Sequence, residues 1–111
     1  MNQDTVHILG EDITISFCMA VEIAYEEISG EAFDVATIDN RKKMLILDYA
    51  AILTAKPDTT ISFDRLVKEA KPKEISALSE AVCNAMYQWY EIPAVMAEPK
   101  VEKKDEEAPK N

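Results

Sequence analysis

The chain has 111 residues, a formal net charge of -9 and only two glycines. That length suits one domain whose core buries roughly 65% of the unfolded surface, and 48% hydrophobic against 30% charged residues is an ordinary globular balance. The acidic charge weighs against nucleic-acid binding, which rests on a basic face, and two glycines are too few for a phosphate-cradling loop or a turn-rich all-β fold.

The first elements read as strands. Val6 and Ile8, then Ile13 and Ile15, alternate with polar neighbours at the period of half-buried strands. Residues 5–16 are therefore a predicted hairpin, with Gly10-Glu11 as its two-residue turn and glycine at the first central position. A lone hairpin is marginal in water, so it must lie on the helices that follow.

Residues 16–29 form the first predicted helix. Phe17, Ala20, Val21, Ala24, Tyr25 and Ile28 share one face, with Glu22, Glu26 and Glu27 mostly away from it and Gly30 placed for a left-handed C-terminal cap. A connection follows in which Ala32, Phe33, Val35 and Ile38 are available for packing. Asp39 is the expected cap of a helix over 39–55. Met44, Leu45, Ile46, Leu47, Tyr49, Ala50, Ile52 and Leu53 leave this helix almost no polar face, the mark of the central helix of a bundle. Asp48, the one charge in that run, lines up with Arg41, Ala51 and Ala55 on a narrow stripe expected to reach water.

Lys56-Pro57-Asp58 ends the helix. Ser62 is the expected cap of a short helix over 62–70, with Phe63, Leu66, Val67 and Ala70 as its apolar face and Asp64 near its positive end. Pro72 fits the first turn of a fourth helix over 72–91 whose buried stripe is Ile75, Leu78, Val82, Ala85, Met86 and Trp89, and Pro93 stops it. Residues 98–111, with five acids and four bases, cannot bury enough apolar surface to offset chain entropy and are expected to be a disordered charged tail, leaving 1–97 as the globular domain. The fold class is thus mainly α: an N-terminal β-hairpin followed by a four-helix, bundle-like domain and a disordered C-terminal tail.

The same residues offer little for chemistry. His7 is the single histidine and is expected on a strand, partly exposed. No serine sits in a nucleophile elbow, no glycine-rich loop precedes a helix, and no calcium-loop spacing occurs. Cys18 and Cys83 match neither a zinc spacing nor a disulfide-dense scaffold and read as reduced near-core residues. No catalytic, cofactor or metal site is expected, nor a signal peptide, nor a membrane span, since the longest apolar candidate, 44–55, is short and interrupted by Asp48. Arg41-Lys42-Lys43 reads as a solvated helix turn.

Two features bear on binding. Glu22, Glu26, Glu27, Glu31 and Asp34 gather around the first helix, either as a solubilising face or as a negative surface for a basic partner segment. Tyr87, Tyr90, Ile92, Val95 and Met96 lie off the buried stripe or beyond the last helix. They either fold back to seal the base of the bundle or form a docking surface, since aromatics and methionine are enriched at interface cores. Tyr87, Tyr90, Ile92, Val95 and Met96, with Glu22 and Glu26, are the candidate partner-binding residues.

A resemblance gives this reading a context. The hairpin Val6-His-Ile-Leu-Gly-Glu-Asp-Ile-Thr-Ile15 leads into Phe17-x-x-Ala-Val-Glu-Ile-Ala-Tyr-Glu-Glu-Ile-Ser-Gly-Glu-Ala-Phe33, then a helix ending Ala55-Lys56-Pro57-Asp58, then Ile61-Ser-Phe-Asp-Arg-Leu-Val67. Over residues 6–92 this resembles the small tail assembly chaperones of long-tailed bacteriophages and prophages. The resemblance implies a helical protein of the bacterial host cytoplasm, with no catalytic residues and no cofactor, that coats the tape measure protein during tail morphogenesis and helps recruit tail tube subunits. It also implies a longer frameshifted form, for which Lys103-Lys104 is a candidate adenine-rich codon site. The alternative from another class is a small host interaction or regulatory module, adaptor or antitoxin-like, although the acidic charge argues against an antitoxin with a basic DNA-binding end. The apolar second helix permits a homo-oligomer as well as a monomer.

Overall fold

A computed structural model of the protein describes residues 4–92; the expectations for the end of the 1–97 domain and for a tail over 98–111 lie outside the described residues. Strands β1 (Asp4–Ile8) and β2 (Glu11–Ile15) pair antiparallel, followed by helices α1 (Met19–Ser29), α2 (Arg41–Ala55), α3 (Phe63–Glu69) and α4 (Pro72–Trp89), with a single 3-10 turn at Val35–Thr37 between α1 and α2. This is the mainly helical class with an N-terminal hairpin that the residue pattern predicts.

Val6 lies opposite Ile13 in the hairpin, and Ile8 and Ile15 share their face, so all four side chains are buried. The outer face carries the polar pairs: Thr5 and Thr14 meet at 2.8 Å, and exposed His7 meets Asp12 at 2.7 Å. The turn differs from expectation. Ile8 pairs with Glu11, which leaves Leu9-Gly10 as the loop rather than Gly10-Glu11, and both loop residues have positive φ (49° and 83°). That is the primed turn whose twist matches the strands. Leu9 tolerates it because its side chain packs on the core while two carboxylates hold the turn.

Glu74 is one of them. It accepts the Leu9 N–H at 3.2 Å and the Lys71 N–H at 2.8 Å, capping α4 and anchoring the turn together. Glu11 is the other. It accepts the hydroxyls of Thr59 (2.6 Å) and Thr60 (2.5 Å) and the Thr60 N–H (3.1 Å), with Lys56 Nζ 3.3 Å away. The Thr59 and Thr60 hydroxyls, followed by the Thr60 N–H and Lys56, hold the Glu11 carboxyl down at about 2.

The hairpin rests on α2 and α4, α1 packs along α2, and α3 packs on α2, which makes α2 the central helix its apolar sequence predicts. Ile46, Leu47, Ala50, Ala51 and Ile52 are buried there, against Val21 and Tyr25 of α1 and Leu78, Val82 and Met86 of α4. Ser62 caps α3 by accepting the Arg65 N–H at 3.1 Å, Gly30 takes the left-handed cap of α1, and Pro72 opens α4, each as read from the sequence.

Several expectations need correction. α1 begins at Met19, not at 16, because Cys18 is extended; Phe17 is still buried, but from the strand exit, where its ring meets Phe33 at 6.0 Å. Ala20 and Ile28 of the expected α1 face are exposed, since Val21 and Tyr25 point into the core. The α2 cap is Asn40, accepting the Lys43 N–H at 2.9 Å, while Asp39 pairs with Lys43 Nζ at 3.6 Å. Val67 and Trp89 are exposed rather than buried. α4 ends at Trp89 because Glu91, at φ 59°, turns the chain, with the Ile92 N–H reaching Tyr87 O (2.8 Å) and the Glu91 N–H reaching Gln88 O (3.1 Å). These two bonds satisfy the last carbonyls before Pro93 is reached.

The largest correction concerns Asp48. Its expected stripe does not reach water: Ala51 is buried and Asp48 is 0% exposed. α4 crosses that face of α2, and the Ser79 hydroxyl donates to Asp48 Oδ2 at 2.6 Å. Burial pushes the Asp48 carboxyl up to about 7, with the Ser79 bond working the other way.

Candidate protein-binding surface

The expected partner-binding residues fall into three groups. Tyr90 and Glu22 come together: the Tyr90 hydroxyl donates to the Glu22 carboxylate, tying the end of α4 to α1. Burial, then the Glu22 bond, pushes Tyr90 up to about 12. The Tyr90 ring lies 6.3 Å from Phe17, which continues through Phe33 to an edge-on contact with Tyr25 at 5.5 Å. Such tilted and edge-on arrangements are the favoured aromatic geometry. One edge of the Tyr90 ring therefore seals the base while the rest, 40% exposed, faces outward.

Glu26, Tyr87 and Ile92 have structural roles. Glu26 accepts the Phe33 N–H at 2.8 Å and so fixes the connection after α1. Tyr87 is half-buried against the core, and Ile92, also half-buried, is drawn back by its bond to Tyr87 O. Val95 and Met96 lie outside the described residues.

The outward apolar surface was only partly anticipated. Met19 is 56% exposed and Ile23 49%, four residues apart on the outer face of α1, where Glu22, Glu26 and Glu27 flank them. Trp89 is 45% exposed beside Tyr90 at the end of α4, and that residue's bond to Glu22 brings α4's end against α1. Their signal was in the sequence: Met19 and Ile23 form a second i, i+4 apolar pair off the buried stripe. Scattered exposed apolar residues are common on protein surfaces, whereas apolar groups held within an acidic rim match the anatomy of a docking face.

A second concavity lies elsewhere. A groove of about 890 Å³ runs between the starts of α2 and α4 and along α3, walled by Met44, Leu45, Leu66, Val67 and Ile75, with Ser79 at its base. Among the described residues no group of three or more His, Cys, Asp or Glu side chains is placed to hold a metal ion, and no helix is long and apolar enough to cross a membrane. Both cysteines are free and half-buried; burial, then the Asp48 charge, raises the Cys83 thiol.

Comparison with known protein families, with characterised proteins and with solved structures gave no match for this chain.

Proposed function

We propose that the protein is a non-catalytic polypeptide-binding factor: a tail assembly chaperone of a long-tailed bacteriophage or prophage, working in the bacterial cytoplasm on the tape measure protein. The observation that carries the binding reading is the outward apolar set Met19, Ile23, Trp89 and Tyr90, held beside the α1 acids on a chain of net charge -9. An amphipathic helix with basic flanks finds there an apolar seat and a complementary rim. The acidic charge also keeps the free protein and its complex in solution, which shielding an aggregation-prone partner requires. The choice of tape measure protein as partner, with tail tube subunits as a second, comes from the resemblance over residues 6–92.

The test is co-expression with the tape measure protein encoded beside this gene. A soluble complex containing both chains is the expected result. A tape measure protein that stays insoluble, with this chain eluting alone, rejects the chaperone reading.

A further inference from the structure

The α2–α3–α4 groove plays no part in the docking face on α1 and α4, and its base holds an unusual group. Arg41, Met44 and Leu45 line the groove from α2. Asp48 lies four residues beyond Met44 and three beyond Leu45, so it continues the same helical face. Ser79 lines the groove from α4 and donates to Asp48 Oδ2 at 2.6 Å, so the groove ends on the Ser79–Asp48 pair. Asp48 Oδ1 is buried and has no hydrogen-bond partner among the described residues. No ion pair among them reaches Asp48 either.

A fully buried acceptor with no donor is rare and costly. Here the orphan lies under an apolar groove, so a donor arriving along the groove resolves it. At the rim, Asp39 and Arg41 carry opposite charges and favour neither sign of ligand. Selectivity therefore falls to the base, where the single free acceptor favours a cation or donor over an anion. The walls are Met44, Leu45, Leu66, Val67 and Ile75, which suit an aliphatic stem. A lysine side chain supplies both parts: an apolar stem for the walls and an ammonium with three donors for Asp48 Oδ1 and the Ser79 hydroxyl. A guanidinium fits less well, because its planar fork needs two free oxygens and Oδ2 is already engaged by Ser79.

We propose that this groove seats an apolar helical segment of a partner polypeptide and that one lysine of that segment pairs with the unpartnered oxygen of Asp48. The proposal deepens the polypeptide-binding reading and rests on it for the class of occupant. The partner lysine converts a lone buried acid into a paired one, and leucine-like neighbours at helical spacing cover the walls.

Two synthetic helical peptides test it. They are identical, with leucines at helical spacing around one central position that carries lysine in the first and norleucine in the second. Each is titrated calorimetrically into the intact protein and into its Asp48→Asn variant, and the methyl signals of Met44 and Ile75 report where it binds. The expected result is at least about tenfold tighter binding of the lysine peptide to the unaltered protein, movement of both methyl signals, and loss of that preference in Asp48→Asn. Equal binding of the norleucine peptide overturns the proposal, as a merely apolar groove. So does a lysine preference that survives Asp48→Asn, binding that leaves Met44 and Ile75 unmoved, self-association of the protein through this face, or no binding by either peptide. A tape measure protein left insoluble would not disturb a lysine preference measured here, and loss of that preference would not disturb a tape measure complex, so the two claims fail separately.

Discussion

Replacing Asp48 by asparagine should change how stability depends on pH. The carboxyl is raised from 3.8 to about 7 in the folded protein, chiefly by burial. A raised acid keeps its proton in the fold at pH values where the unfolded chain has lost it. The folded state then binds more protons, so stability falls as pH climbs from the unfolded value towards the folded one and levels off beyond it. Each unit of difference corresponds to about 1.4 kcal/mol, and between about pH 5 and pH 8 this one group removes roughly 2–3 kcal/mol. Asparagine cannot ionise, yet it still offers the Ser79 hydroxyl an acceptor. Its buried amide adds an offset of roughly 1–3 kcal/mol that does not vary with pH. His7, the one histidine, is present in both proteins and cancels. Urea unfolding of both proteins across this range should therefore show the difference, variant minus wild type, moving in the variant's favour by roughly 2–3 kcal/mol from pH 5 to pH 8. Parallel curves would refute the reasoning and would mean that Asp48 is hydrated or paired in solution.

Other expectations follow from the turn, the α4 terminus and the core. Glu11 is held down at about 2, so its stabilisation is complete above the ordinary value of 4.5 and is lost as pH falls through the folded value. Glu11→Gln should flatten the acid limb of unfolding followed by circular dichroism between about pH 2 and pH 5. Glu91→Gly should raise stability by about 1 kcal/mol in thermal unfolding, because glycine takes the positive φ of that position without the penalty of a β-carbon. Leu78→Ala should cost roughly 2–5 kcal/mol, whereas Trp89→Ala should stay within about 1 kcal/mol despite its place on the predicted apolar stripe, a contrast chemical denaturation resolves directly.

What the sequence revealed was local, and what it hid was mostly long-range. Alternation at Val6, Ile8, Ile13 and Ile15, the Ser62 cap, Gly30 and Pro72 are written within a few residues of where they act, and each serves its predicted role. The groups that lock the hairpin tip are not written that way. Glu11 meets Thr59 and Thr60 from 48 and 49 positions away, and Glu74 meets Leu9 from 65. No periodicity distinguishes these glutamates from the solvated ones beside them. Asp48 was misplaced for the same reason: its helical stripe is polar in one dimension, but Ser79, 31 residues on, covers it with α4. Of the candidate binding residues, Tyr90 and Glu22 were rightly singled out as neighbours of an exposed surface, but what they make together is a clasp between α1 and α4. Met19 and Ile23 were missed because the stripe that folds the helix drew attention from the pair that remains outside.

The most direct test of polypeptide binding through the outer face of α1 is the affinity of a tape measure segment for a variant carrying both Met19→Glu and Ile23→Glu. Both side chains are exposed, so the substitutions should leave the melting temperature within a few degrees of wild type. Loss of binding with folding intact is the predicted result. Unchanged affinity in a folded double variant would contradict it and move the partner's seat away from this face.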